Sequence, residues 1–361
     1  MSQESGTVTG RASALWAAAI TVAVMAIGPL MGHLPELSGF LVFLPAAAAG
    51  VCTVRQTAWV SVWTVLVTAG ALLLGPTPTN RGAAALLCLA VACGLFATYL
   101  CRWRLAHVEA ALRLQSAATA MQRHLLRPLP RTTKHVTTTG VHVPLGEDVP
   151  IGGDVYDVME TSHGTRVLIA DVQGKGLGAL GTSVAVVSAF RNAAHAESSV
   201  LGVAEALEKT VELQNRQAVE SGDAERFVTA AILGIGDGLD VEVVNCGHPV
   251  PYCLESGISR LVPIDAADVP LGLGPLAGDR TVSRFAFPRG AVLVLFSDGL
   301  NEGRSRDGRF FPLEERLAAL AKDPTGDLAR RLWRQVTEFT GGRPQDDTTV
   351  LTVTRVADST R

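Results

Sequence analysis

The sequence predicts an α+β domain that follows an oily, nearly uncharged N-terminal region. Charge and secondary-structure patterning carry this reading. Of the 31 basic and 34 acidic side chains in the chain, only Glu4, Arg11, Glu36, Arg55 and Arg81 fall within the first 101 residues. From about residue 132 onward, short β-branched runs alternate with longer helical ones. Long helices follow the early strands and the late strands precede further helices, which suggests α+β layers rather than a regular βαβ winding.

The N-terminal region contains four uncharged runs of about the length that crosses a bilayer: Ala12–Gly32, Leu37–Val54, Thr57–Gly75 and Gly82–Cys101. The first lacks a basic leader and is followed by three more, so it reads as an anchor rather than a signal peptide. Arg55, Arg102 and Arg104 flank one side, while Arg81 faces Glu36 on the other, which places both termini in the cytoplasm of a bacterial cell membrane. With no charge inside any run, a pump or a carrier of charged substrates is disfavoured. The expected organisation is a four-helix transmembrane region over 1–101, a linker over 102–130, a catalytic domain over 131–356 and a tail over 357–361.

Residues 102–127 contain neither Gly nor Pro and predict one helix. Ala111, Leu114, Ala118, Met121 and Leu125 form a heptad-like stripe, expected either to pack on its own domain or to pair two chains as a parallel homodimer stalk. Prolines at 128 and 130 end the helix. Strands are predicted at His135–Val143, Arg166–Val172, Arg226–Ile235, Leu239–Asn245, Ala291–Ser297 and Thr348–Arg355. Helices are predicted at Leu177–Glu197, Val200–Ser221, Leu313–Ala321 and Gly326–Thr340, with a Gly/Pro-rich loop at 263–279. The near-neutral charge after residue 101 gives no nucleic-acid footprint. Cys52, Cys88, Cys93 and Cys101 lie in or beside apolar runs, and Cys246 and Cys253 lack metal-ligand spacing, so neither a disulfide framework nor a zinc site is expected.

The aspartates fall in telling places. Asp171 ends the apolar strand of "RVLIADVQGKG", Asp298 ends that of "AVLVLFSDGLNEG", and Asp346 and Asp347 precede the last strand. Asp154 follows the glycine pair of "IGGDVYD". Burying carboxylates is costly, and clustering them costs more, unless a divalent cation reverses the sign. Oxygen donors without a histidine cluster suit Mg2+ or Mn2+.

The segments "LLRPLP", "IGGDVYDV", "IADVQGKGLGAL", "RFVTAAILGI…VVNCGHPVPYCL", "VLFSDGLNEGR" and "DDTTVLTV" occur in this order. Residues from about 120 to 355 thereby resemble the SpoIIE-type (RsbU-like) serine/threonine phosphatases of the protein phosphatase 2C (PPM) superfamily. The resemblance implies a four-layer α/β/β/α sandwich of two antiparallel sheets flanked by helix pairs. It implies two divalent cations, Mn2+ or Mg2+, held by Asp154, Asp171, Asp298, Asp346 and the backbone carbonyl of Val172. It further implies hydrolysis of a phosphorylated protein, typically a STAS-type anti-sigma-factor antagonist, by a metal-bound water. Asp347 and Asp157 are adjacent acids, and Asp157 is expected to support the site rather than bind metal.

Two positions depart from the family pattern. Lys175 stands where relatives often carry His in the glycine turn, and is expected either to be solvated or to meet a phosphate. Cys246 replaces Ala before Gly247-His248; His248 is expected to stabilise its turn, with proton donation to the leaving group as the alternative. No Cys-x5-Arg loop or nucleophile elbow is present, consistent with attack by water. A rival reading is a pseudophosphatase scaffold at the membrane, disfavoured because all four metal-position aspartates are retained.

Overall fold

The computed structural model describes residues 41–74, 80–144, 152–264, 268–274, 279–322, 327–342 and 346–356. The chain divides between Leu114 and Gln115 into two compact units. In the first, a 3-10 turn at Leu41–Phe43 leads into α1 (Leu44–Val51), α2 (Val54–Leu74) and the start of α3 (Asn80–Leu125). Thr57, Ser61, Thr64 and Thr68 lie on the apolar α2. Each returns its hydroxyl to the carbonyl four residues earlier, so these polar atoms are satisfied without water.

Four spans are not supported: among the described residues two helical segments, Val54–Leu73 and Arg81–Ala110, are long and apolar enough to cross a membrane. The run Ala12–Gly32 lies outside the described residues, as does the start of the run Leu37–Val54. From Leu44 the latter forms an eight-residue helix that ends where Cys52 turns extended. Such a helix rises only about 12 Å, against roughly 30 Å of bilayer hydrocarbon. The last run and the expected linker helix are one continuous 46-residue helix, α3. The side chains of Ala111, Leu114 and Ala118 lie outside the described residues; Met121 is exposed and Leu125 buried.

The second unit is built on two antiparallel sheets. One runs in the order β1 (Arg131–Thr132), β2 (Val136–Val143), β11 (Thr348–Arg355), β10 (Val292–Phe296), β7 (Tyr252–Glu255), β8 (Ile258–Leu261). The other runs β3 (Asp154–Thr161), β4 (Gly164–Val172), β5 (Val228–Ile235), β6 (Asp240–Cys246), β9 (Ser283–Ala286). α4 (Leu177–Ala196) and α5 (Val200–Ser221) pack on the second sheet, and α7 (Leu313–Leu320) and α8 (Leu328–Phe339) on the first; the short α6 (Asp298–Asn301) follows β10. This is the α/β/β/α arrangement. β10 explains why the strands read as unbroken apolar runs. Its Leu293 and Leu295 enter the core shared by the two sheets, while Val292, Val294 and Phe296 enter the core under α7 and α8. A strand covered on both faces has no solvent side to mark with polar residues.

Most predicted elements form within a residue or two of their expected ends. Sequence patterning assigned no strand to Asp154–Thr161, to the hairpin β7–β8 or to β9. The omission of β3 matters most, because that strand carries the first aspartate.

Candidate metal centre

β3 and β4 pair in a register that sets Asp154 directly opposite Asp171, and the Val172 amide donates to the Gly153 carbonyl at 3.1 Å. Gly152 and Gly153 are required by close approach. A Cβ on Gly153 would stand 2.2 Å from the Val172 carbonyl oxygen and 2.5 Å from Asp171 Oδ1; one on Gly152 would stand 1.8 Å from Asp347 Oδ2. The glycine pair therefore lets the chain pass flat against the acids and the Val172 carbonyl.

Asp154 is almost fully buried between the sheets. Its Oδ2 accepts from Ser297 Oγ at 2.6 Å and Thr349 Oγ1 at 2.7 Å, and Ser297 Oγ accepts in turn from the Thr349 amide at 2.9 Å. Ser297 follows β10 and Thr349 lies in β11, so these bonds join the two sheets through one carboxylate. Burial and then the charge of Asp171 hold the Asp154 carboxyl well above its usual pKa, against the pull of the two hydroxyls. Burial, followed by the charges of Asp298, Asp346 and Asp347, pushes Asp171 up to about 7, with Lys175 opposing. Asp298 begins α6; burial and then Asp346 raise its pKa, while the Gly299 amide counteracts.

Asp346 and Asp347 part ways despite being neighbours. Asp347 is buried and its Oδ2 accepts from the Gly153 amide at 3.1 Å, holding the glycine turn in place. Asp346 is half exposed, and its Oδ1 lies 2.9 Å from Lys175 Nζ. The structure thus brings Asp154, Asp171, Asp298, Asp346, Asp347 and the Val172 carbonyl to one edge between the sheets. As the side chains stand, among the described residues no three acidic, histidine or cysteine groups close into a ready metal cage. The two hydroxyls hold Asp154, and Lys175 holds Asp346. The chemistry of the donor set still fits a hard divalent cation: every donor is oxygen, and among the described residues Asp154, Asp171 and Asp298 form no ion pair with a basic side chain.

Asp157 belongs to a different network. Three residues beyond Asp154 on a strand, it faces away from the sheet interface. It is fully buried and pairs with Arg191 Nε of α4 at 2.5 Å and Arg127 Nε at 3.6 Å. Arg191 also donates to the Leu125 carbonyl, and Tyr156 to the Arg127 carbonyl, so this cluster fastens the end of α3 to β3 and α4. His248 packs against Thr229, the β5 residue that pairs with Asp171. Its backbone is held by the Asn245 side chain, its Nδ1 lies 2.9 Å from Thr229 Oγ1, and burial lowers its pKa to about 3. The two Asn245 bonds close the turn at Cys246-Gly247, the role expected of this segment. Ser297 and Thr349 were missed by sequence reasoning; their only signal is a hydroxyl beside each acidic motif, in "FSDG" and "DDTT".

Comparison with known proteins agrees with the fold. Residues 161–356 match the family described as Stage II sporulation protein E (SpoIIE). The SiaA PP2C domain of Pseudomonas aeruginosa superposes with a TM-score of 0.56 at 19% identity, over 70% of this chain and 99% of that one. The PP2C phosphatase domain of SpoIIE from Bacillus subtilis, with a fragment of its regulatory domain, superposes with a TM-score of 0.50 at 19% identity, over 62% of this chain and 64% of that one. At such identities the likeness carries the fold. The family match spans more than half of the sequence, and the chain belongs to the SpoIIE family of PP2C-type serine/threonine protein phosphatases.

Proposed function

We propose that the chain is a membrane-anchored, metal-dependent phosphatase whose substrate is a phosphorylated STAS-type antagonist of an anti-sigma factor. The observation that carries the metal-dependent reading is the gathering of acidic loops at one edge between the sheets, with Asp171 pushed up to about 7 by its neighbours. In this reading Asp154, Asp171, Asp298, Asp346 and the Val172 carbonyl hold two divalent cations, Mn2+ or Mg2+. When bound, such a pair supplies an acidified water for in-line attack on phosphorus and neutralises charge on the phosphoryl oxygens. The chain's own part is positioning. Ser297 and Thr349 fix one oxygen of Asp154, Asp347 fixes the glycine turn, and the covered β4 and β10 hold Asp171 and Asp298 at their ends. No protein nucleophile is required.

Family membership supports a phosphoserine or phosphothreonine substrate and a place in partner switching. The apolar α2 and the first half of α3 support anchoring in a bacterial cell membrane, in contact with lipid, with residues 131–356 in the cytoplasm as the phosphatase domain. The continuity of α3 supports a stalk at 102–130 and pairing of two chains along it.

The test uses the full-length chain in detergent. Phosphate release from phosphorylated STAS-type proteins and from a phosphoserine peptide is followed with Mn2+, Mg2+ or EDTA, beside Asp298→Ala. Turnover that needs the cation, prefers the STAS-type protein and falls at least a hundredfold in the variant is expected. A folded, metal-binding chain with no turnover on any phosphoprotein would sink the proposal in favour of a scaffold.

A further inference from the structure

Lys175 sits in the glycine turn that links β4 to α4, between Gly174 and Gly176, both of which adopt positive φ (95° and 87°). This backbone is open to glycine and strained for other residues. The lysine at its centre reaches across to the acid pair that precedes β11. Its Nζ lies 2.9 Å from Asp346 Oδ1, and its charge also acts on Asp171 and Asp347. For Asp154, Asp171, Asp298 and Asp346, the described residues provide one ion pair, and Lys175 makes it. The pair is part-exposed on both sides, 38% for the lysine side chain and 49% for the aspartate. Pairs in that setting exchange readily, and this lysine offsets the charge of three acids rather than one.

We infer that Lys175 is a built-in counter-ion of the acidic centre: it holds Asp346 while no divalent cation is bound, and competes with the cation for that carboxylate. The inference rests on the proposed function in one respect, that Asp346 belongs to the cation site. An ammonium cannot replace the cation's Lewis acidity; it can only offset part of the negative charge. Two effects follow from one contact. The metal-free protein is steadied against repulsion among its acids, and divalent affinity is set lower than the oxygen donors alone would give. A neutral residue at this position would make the centre bind more tightly and stand less well without metal.

The experiment compares wild type, Lys175→Met and Lys175→Arg as full-length chains in detergent. Mn2+ binding is measured by titration calorimetry, and thermal unfolding is measured in EDTA. Lys175→Met is expected to bind Mn2+ roughly tenfold more tightly, the scale on which removing one nearby positive charge changes a divalent site even at the dielectric of water. Its unfolding temperature in EDTA is expected to fall below wild type, with Lys175→Arg close to wild type in both measurements. Wild-type binding together with equal or weaker Mn2+ binding by Lys175→Met overturns the counter-ion. So does an unchanged unfolding temperature in EDTA. If folded wild type and both variants bind no Mn2+, the metal-centre reading falls with it. A Lys175→Met variant that alters only the KM for the phosphoprotein would instead make the lysine a substrate contact, also against the inference.

Discussion

A histidine with 4% of its surface exposed and a pKa lowered to about 3 is a structural group with a pH signature. The folded pKa of His248 lies below the unfolded value of 6.5, so between pH 6.5 and about 3 the unfolded chain binds the extra proton. Its contribution to stability is therefore complete above pH 6.5 and is lost as the pH falls toward 3. By pH 5 the loss should reach about 2 kcal/mol, at 1.36 kcal/mol per unit. Denaturant unfolding at pH 7.5 and 5 should show wild type declining by about that much more than His248→Gln. Parallel declines would mean that the ring is not held neutral by the fold. The sequence offered no way to see the burial: Gly247-His248-Pro249 reads only as a turn, and its contact Thr229 lies on a different strand.

At the scale of elements, the end of α3 is tied down by charge in a dry place. Arg191 reaches both Asp157 on β3 and the Leu125 carbonyl near the end of α3. Arg191→Ala would leave a fully buried carboxylate with only the more distant Arg127, a change expected to cost about 3–5 kcal/mol. Lower thermal stability together with faster amide exchange over residues 121–127 is the expected outcome; unchanged exchange there would separate the helix end from this cluster. The sequence made α3 visible, since residues 102–127 lack both helix breakers, but it could not say that Asp157 would be its anchor. β3 was hidden for a related reason. Glycines and aspartates are poor strand formers, so "IGGDVYDV" reads as a turn, although six of the strand's eight residues are buried in the sheet. The hairpin β7–β8 was missed because Ser256-Gly257 is a weaker turn signal than Asn-Gly; both residues adopt positive φ, 51° and 82°. By contrast, β4 and β10 carry apolar runs with an acid at one end and the β-branched β11 follows an acid pair, and those features made most of the candidate site legible in the sequence.

For the whole molecule, the distribution of charge is the governing fact. If α2 and the first half of α3 are bilayer helices, the chain should remain in the membrane pellet through high salt and alkaline carbonate and leave it only in detergent. Release by carbonate would reduce them to a peripheral contact. Patterning overextended the run Leu37–Val54 because run length alone does not register where a helix stops, as at Cys52. In the catalytic unit, the two sheets meet through Asp154, whose single oxygen takes hydroxyls from Ser297 and Thr349 of the opposite sheet. One atom is thus both a seam of the sandwich and part of its proposed chemistry. An inactive Asp154→Ala protein would confound a dead catalyst with a loosened one, so it is a poor negative control for signalling experiments. Asp298, which none of those inter-sheet bonds involves, is the better position at which to silence the enzyme while leaving its docking surfaces intact.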